Sequence, residues 1–182
     1  MRTLPTMLAS AVVAAVLLAG NAVAQPDAPT PAAPPASAPA PTTPVSIELE
    51  IYVVSLITRD DGTREERFAQ ASEARPGQTV EYRLIVSNVS DETLPAGIVV
   101  VTGPVPEGTE FVPHSATPSS DELLTEYSGD DGRTFSLPPV FVGREEDRTV
   151  VDPVEYDGVR WTVLIDLEPD QVIPLVYRVI VR

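Results

Sequence analysis

The stretch that decides the fold is Val159-Arg160-Trp161-Thr162-Val163-Leu164-Ile165-Asp166-Leu167, a break at Glu168-Pro169-Asp170-Gln171, then Val172-Ile173-Pro174-Leu175-Val176-Tyr177-Arg178-Val179-Ile180-Val181. In the first run Val159, Trp161, Val163, Ile165 and Leu167 alternate with Arg160, Thr162 and Asp166. In the second, Ile173, Leu175, Tyr177, Val179 and Val181 share one face, and Arg178 and Arg182 take the other. A period of two across a Pro-Asp turn is the pattern of half-buried strands, because successive strand side chains point to opposite faces.

The same period recurs upstream. Ile47, Leu49, Ile51 and Val53 alternate with Ser46, Glu48, Glu50 and Tyr52, and Val80, Tyr82, Leu84 and Val86 alternate with Glu81, Arg83 and Ser87. Ile98 to Val101 is continuously apolar and reads as a strand covered on both faces. Turn residues fall between the runs: Asp60-Asp61-Gly62, Arg75-Pro76-Gly77, Pro104 to Gly108 and Asp130-Asp131-Gly132. No segment holds apolar residues at helical spacing for more than about two turns. The expectation is an all-β, antiparallel β-sandwich of seven to nine strands over residues 46–182. Its expected core is Leu49, Ile51, Val53, Tyr82, Leu84, Val86, Val99, Val101, Phe111, Trp161, Val163, Ile165, Leu175, Tyr177 and Val179. Each large side chain contributes about 1.5–3 kcal/mol on burial, so Trp161 is read first as a core residue.

Residues 1–24 read as a secretory signal peptide. Arg2 supplies the positive start, Met7 to Ala19 is apolar, and Ala22-Val23-Ala24 has the small-x-small form of a cleavage site. An apolar run of about 13 residues is short of the roughly 20 that a membrane-spanning helix needs. In Leu18-Ala19-Gly20-Asn21 an asparagine stands where a lipoprotein has its cysteine. The mature chain is expected to begin at Gln25 and to have no membrane insertion after cleavage. Residues 25–45 read as a disordered Pro/Ala-rich linker: Pro26 to Pro44 holds eight prolines and six alanines, too little apolar surface for a core and too few N–H donors for a ladder.

Composition narrows the function. The 182 residues carry 27 acidic and 12 basic side chains, all of the latter arginine, and one histidine, for a net charge of −15. Clustered cations for displacing phosphate counterions are missing, which argues against nucleic acid and against a polybasic membrane surface. With no cysteine, disulfides, thiolate chemistry and zinc–thiolate sites are excluded.

Three segments carry a resemblance. Arg75-Pro76-Gly77-Gln78-Thr79-Val80-Glu81-Tyr82-Arg83-Leu84-Ile85-Val86-Ser87-Asn88 is a Pro-Gly turn feeding a strand that ends in Asn. It is followed by Val101-Thr102-Gly103-Pro104-Val105-Pro106-Glu107-Gly108-Thr109-Glu110-Phe111-Val112, and by the closing strand from Val172. Together they resemble the bacterial surface-protein conserved repeat domain, domain of unknown function eleven, over about residues 47–182; Val159-Arg160-Trp161 is similar to a variant of it. The resemblance implies an immunoglobulin-like sandwich in exported or cell-wall proteins, often in tandem, with no known catalytic site and no cofactor. This chain holds one copy, and where the family places Gly before the last strand it has Glu168-Pro169-Asp170-Gln171. Asp170 must then take the left-handed backbone angle, or the turn type must change.

Candidate sites are few. Ser128, Asp130, Gly132, Thr134 and Phe135 fit S-x-D-x-G-x-T-F, which resembles the structural hairpin of sialidase-type propellers; here it reads as a turn builder, with Phe135 anchoring the hairpin in the core. Asp60, Asp61, Asp130 and Asp131, with Glu145, Glu146 and Asp147, are weak calcium candidates, since none matches a spaced calcium-loop motif. His114 lies past a strand near Ser115, Ser119 and Ser120 without a nucleophile signature, and reads as an exposed loop residue. Asn88-Val89-Ser90 matches a glycosylation acceptor but reads as a turn-forming asparagine. The function expected is an exported, non-enzymatic β-sandwich with a structural or protein-interaction role in the periplasm, cell envelope or cell surface, its partners being envelope or surface proteins. The alternative is a carbohydrate-binding or calcium-dependent adhesive module.

Overall fold

The computed structural model describes residues 43–182; residues 1–24, read as a signal peptide, and nearly all of the stretch read as a Pro/Ala-rich linker lie outside the described residues. The fold is almost entirely β. Its strands are β1 (Val45–Thr58), β2 (Arg64–Gln70), β3 (Thr79–Asn88), β4 (Val100–Pro104), β5 (Thr109–Phe111), β6 (Leu123–Ser128), β7 (Phe141–Val142), β8 (Thr149–Val150), β9 (Gly158–Val163) and β10 (Val172–Val181). Two single 3-10 turns, Glu145–Asp147 and Pro153–Glu155, are the only helical elements among the described residues.

Every ladder between these strands is antiparallel. A five-stranded sheet has the order β2-β1-β3-β10-β5, a three-stranded sheet has β4-β9-β6, and β7 pairs with β8 alone. The two larger sheets thus hold eight strands, and the short β7–β8 pair stands beside them. Alternation in β3 and β10 sends Val80, Leu84, Val86, Leu175, Tyr177 and Val179 into one buried cluster with Val101, Val159, Trp161 and Val163 of the other sheet. Ring contacts fix the stacking. Phe111 of β5 lies 5.7 Å from Tyr127 of β6, and Trp161 of β9 lies 6.0 Å from Tyr177 of β10. Gly103 of β4 lets the backbone close on these rings, since a Cβ there would stand 2.7 Å from the Tyr177 ring and 3.1 Å from Trp161. Trp161 is fully buried, and its indole N–H donates to the Thr117 carbonyl at 3.1 Å, so its one polar side-chain atom is met.

Three expectations are corrected. Ile98 and Val100 are 59% and 50% exposed, while Val99 and Val101 are buried; the run alternates, because β4 is an edge strand with a solvent face. The run from Val159 ends as a strand at Val163. Beyond it the chain is drawn aside: the Leu164 N–H donates to the Glu122 carbonyl, the Asp166 carboxylate accepts from the Ala96 N–H, and Leu167 pairs with Leu94. Leu167 is still buried, but Ile165 only half so. Finally, Leu49 is 54% and Ile47 is 50% exposed. The three-stranded sheet packs over β3, β10 and β5, so the inward face of β1 runs on beyond its cover.

Candidate functional site

The turn read from the motif forms as one unit. Tyr127 and Ser136 exchange backbone hydrogen bonds at 2.9 and 3.0 Å and close its base. Asp131 and Gly132 both have positive φ, 61° and 71°, an angle that Gly takes without steric cost and Asp tolerates. The Thr134 N–H and hydroxyl donate to the two Asp130 oxygens at 2.8 and 2.7 Å. The buried Ser128 hydroxyl donates to Asp130 Oδ1 and accepts from the Gly132 N–H. These bonds, the Thr134 amide foremost, hold the Asp130 carboxyl below its ordinary range. Phe135 is half-buried rather than a core anchor: it packs where Gly158 leaves room, with the Arg160 guanidinium 4.6 Å above its ring. Asp157 completes the turn by accepting from the N–H groups of Asp131 and Gly132 at 2.6 and 3.3 Å. Its role has no local signal, because it sits far along the chain and follows an unremarkable Tyr.

The calcium candidates separate into these turns. Asp61 accepts from the Thr63 N–H and hydroxyl at the β1–β2 tip, which lowers its pKa. Asp131 stands 3.7 Å from Arg133, and Glu145, Glu146 and Asp147 are exposed on a 3-10 turn. Among the described residues no three acidic or imidazole side chains converge as a metal-ligand group. His114 is exposed with φ 61°. The neighbouring hydroxyls serve the backbone: Ser115 donates to the Val112 carbonyl and accepts from the Arg178 N–H, Ser119 accepts from the Thr125 N–H, and Ser120 from that of Glu122. Asn88 is fully buried; its amide donates to the carbonyls of Glu92 and Leu167 and accepts from Ser90. Its side chain is therefore inaccessible to a glycan.

One charged cluster was missed in the sequence. On the outward face of the five-stranded sheet the buried Glu81 accepts from Arg83 Nε at 2.6 Å and from Arg178 Nε at 2.7 Å. Arg178 also grips both oxygens of Glu66, which holds the Glu66 carboxyl below its ordinary range. The Arg83 guanidinium stacks 4.5 Å from the Tyr52 ring and 4.8 Å from that of Phe68. The cross-strand register places Tyr52 and Arg178 on either side of Glu81, but only the pairing order reveals it. Every charge in the cluster is matched, which is the arrangement of a sheet-bracing network.

The outward face of β1 ends differently. Glu48 and Glu50 form no ion pair with any described residue, and Glu50 only accepts from the Tyr52 hydroxyl. β2 pairs with β1 from Tyr52 to Thr58 alone, so on that side Val45 to Glu50 has no strand neighbour among the described residues.

No family model, curated protein or solved structure matches this chain.

Proposed function

We propose that the chain is an exported β-sandwich module, without catalytic activity, that serves a structural or protein-interaction role in the cell envelope or on the cell surface. The single observation that carries the interaction role is the Val45–Glu50 stretch of β1, with its exposed Ile47 and Leu49, which on one side has no strand neighbour among the described residues. An uncovered apolar strand edge invites pairing by another chain, and proteins that do not use one normally blunt it. Export is supported by the leader, and the Pro/Ala-rich stretch is a spacer in this reading. An immunoglobulin-like assignment and membership of the conserved repeat family belong to the same proposal. They gain support from Asp170, which takes a φ of 60° where the family uses glycine. The calcium-dependent alternative gains no support, because Asp61 Oδ1 is engaged by Thr63 and both Asp130 oxygens by Thr134.

The test is cell fractionation with terminal sequencing of the purified chain, followed by cross-linking in intact envelopes. The reading expects a chain starting at Gln25 outside the cytoplasm and one reproducible protein partner recovered from both directions. A chain retaining Met1 in the cytoplasm, or no cross-linked partner, contradicts it.

A further inference from the structure

Resting on that reading, we infer that the Val45–Glu50 edge of β1 receives an extended partner segment of alternating apolar and basic residues. The segment would lie beside β1 in line with β2, which ends opposite Tyr52. Its backbone would pair with the groups that β1 presents on the side away from β3. Alternation then fixes both faces. On one face its apolar side chains meet Ile47, Leu49 and Ile51, beside the shallow depression lined by Leu49, Ile51, Gln70, Ala71 and Ser72. On the other they meet Ser46, Glu48 and Glu50.

Charge selects the occupant. Opposite charges directly across a strand pair attract, and like charges repel. A second copy joined edge to edge by the same stretch, in antiparallel register, sets Glu48 or Glu50 against Glu48, Glu50 or Ser46, with no cation between. The chain's own upstream residues suit the edge no better. Arg2 is the only basic residue before Arg59, and eight of the residues from Pro26 to Pro44 are prolines without an N–H to give. The occupant is therefore a cationic, apolar-alternating segment of another protein.

The experiment uses the full chain, expressed with its own leader and purified from the cell. Binding is measured by fluorescence anisotropy to a peptide of alternating lysine and valine ending in proline, to the same residues arranged in two blocks, and to an alternating glutamate–valine peptide. The alternating lysine peptide is expected to bind best and to shift the resonances of Ser46 to Ile51. Glu48→Lys/Glu50→Lys is expected to weaken that binding by about tenfold or more and to favour the glutamate peptide. Glu48 is exposed, and Glu50 is half-buried with the Tyr52 hydroxyl as its one side-chain hydrogen-bond partner and no ion pair among the described residues, so the fold should survive. Leu49→Thr, which keeps strand propensity, is expected to weaken both alternating peptides. Equal binding of block and alternating peptides, no binding of the alternating lysine peptide, or indifference to the double substitution overturns the assignment. If the cross-linked envelope partner is still captured by the double variant, the interaction module stands and this edge is not its site. Absence of any envelope partner for the unaltered chain defeats the module itself.

Discussion

Arg178 joins two strands that are not neighbours: its Nε donates to Glu81 of β3 at 2.7 Å, and its terminal nitrogens hold both carboxylate oxygens of Glu66 in β2 at the same distance. β1 lies between β2 and β3, so the guanidinium braces the part of the sheet that the second sheet does not cover. Glu81 is buried beneath Arg83 and Arg178. Removing one member of a buried ionic group strands the others. Glu81→Ala should therefore cost about 3 kcal/mol, near the lower end for such groups because the arginines reach solvent. Urea unfolding measures it, and Glu81→Met/Arg178→Met should lose less than Glu81→Ala.

Acid should loosen the same molecule. The carboxyls of Glu66, Asp130 and Asp61 are held below their ordinary values, chiefly by Arg178, by the Thr134 amide and by the Thr63 hydroxyl respectively. A carboxyl with a depressed folded pKa binds fewer protons in the native state. Its stabilising contribution is complete above the unfolded value, about 4, and is lost as the pH falls through the folded one. Thermal melts should thus show Tm flat near neutrality and falling below about pH 4. Asp130→Asn should lower Tm at neutral pH and make the remaining acid dependence shallower.

Gly103→Ala tests the stacking of the sheets. The added methyl would meet the Tyr177 ring, whose hydroxyl donates to the Pro104 carbonyl at 2.7 Å and whose face stacks on Tyr82 at 5.0 Å. A ring held on three sides has nowhere to retreat, so the substitution should cost about 2 kcal/mol by overpacking. The near-ultraviolet circular dichroism of Trp161 and Tyr177 should change with it.

Asn88→Ala should cost about 3 kcal/mol, because the buried carbonyls of Leu167 and Glu92 both lose their donor. The backbone of Asn88 is also bonded to Asp170 and Gln171, so the damage should appear in hydrogen exchange as faster opening of both the 88–92 and 167–171 turns.

The antiparallel β class, the main strands β1, β3 and β10 and the Ser128–Phe135 turn were legible because each is written locally, in a period of two or in turn residues. What was not legible depends on which strands become neighbours. β2 is a run of charged residues around Phe68 and shows no alternation of its own; it is a strand because β1 pairs with it, and its Glu66 has a purpose only once Arg178 is opposite. Leu49 alternates as regularly as Leu84, yet one is exposed and the other buried, because alternation names a face and says nothing of what covers it. Ile165 and Leu167 kept the period after the strand had ended, since Leu94 and Ala96 had drawn that segment to themselves. The resemblance leaves two outcomes for the Glu168–Gln171 turn, Asp170 in the left-handed angle or a change of turn type, and Asp170 has a φ of 60°.

The central claim is that β1 is a built-in strand of the sheet whose first half awaits a neighbour. Residue-resolved hydrogen exchange on the purified full chain tests it most directly. Amides of β3, β9 and β10 should exchange slowest, and from Val45 to Glu50 protection should alternate, high where the N–H points to β3 and low where it points away. Uniform protection from Val45 to Glu50 in a monomer without partner would contradict the account.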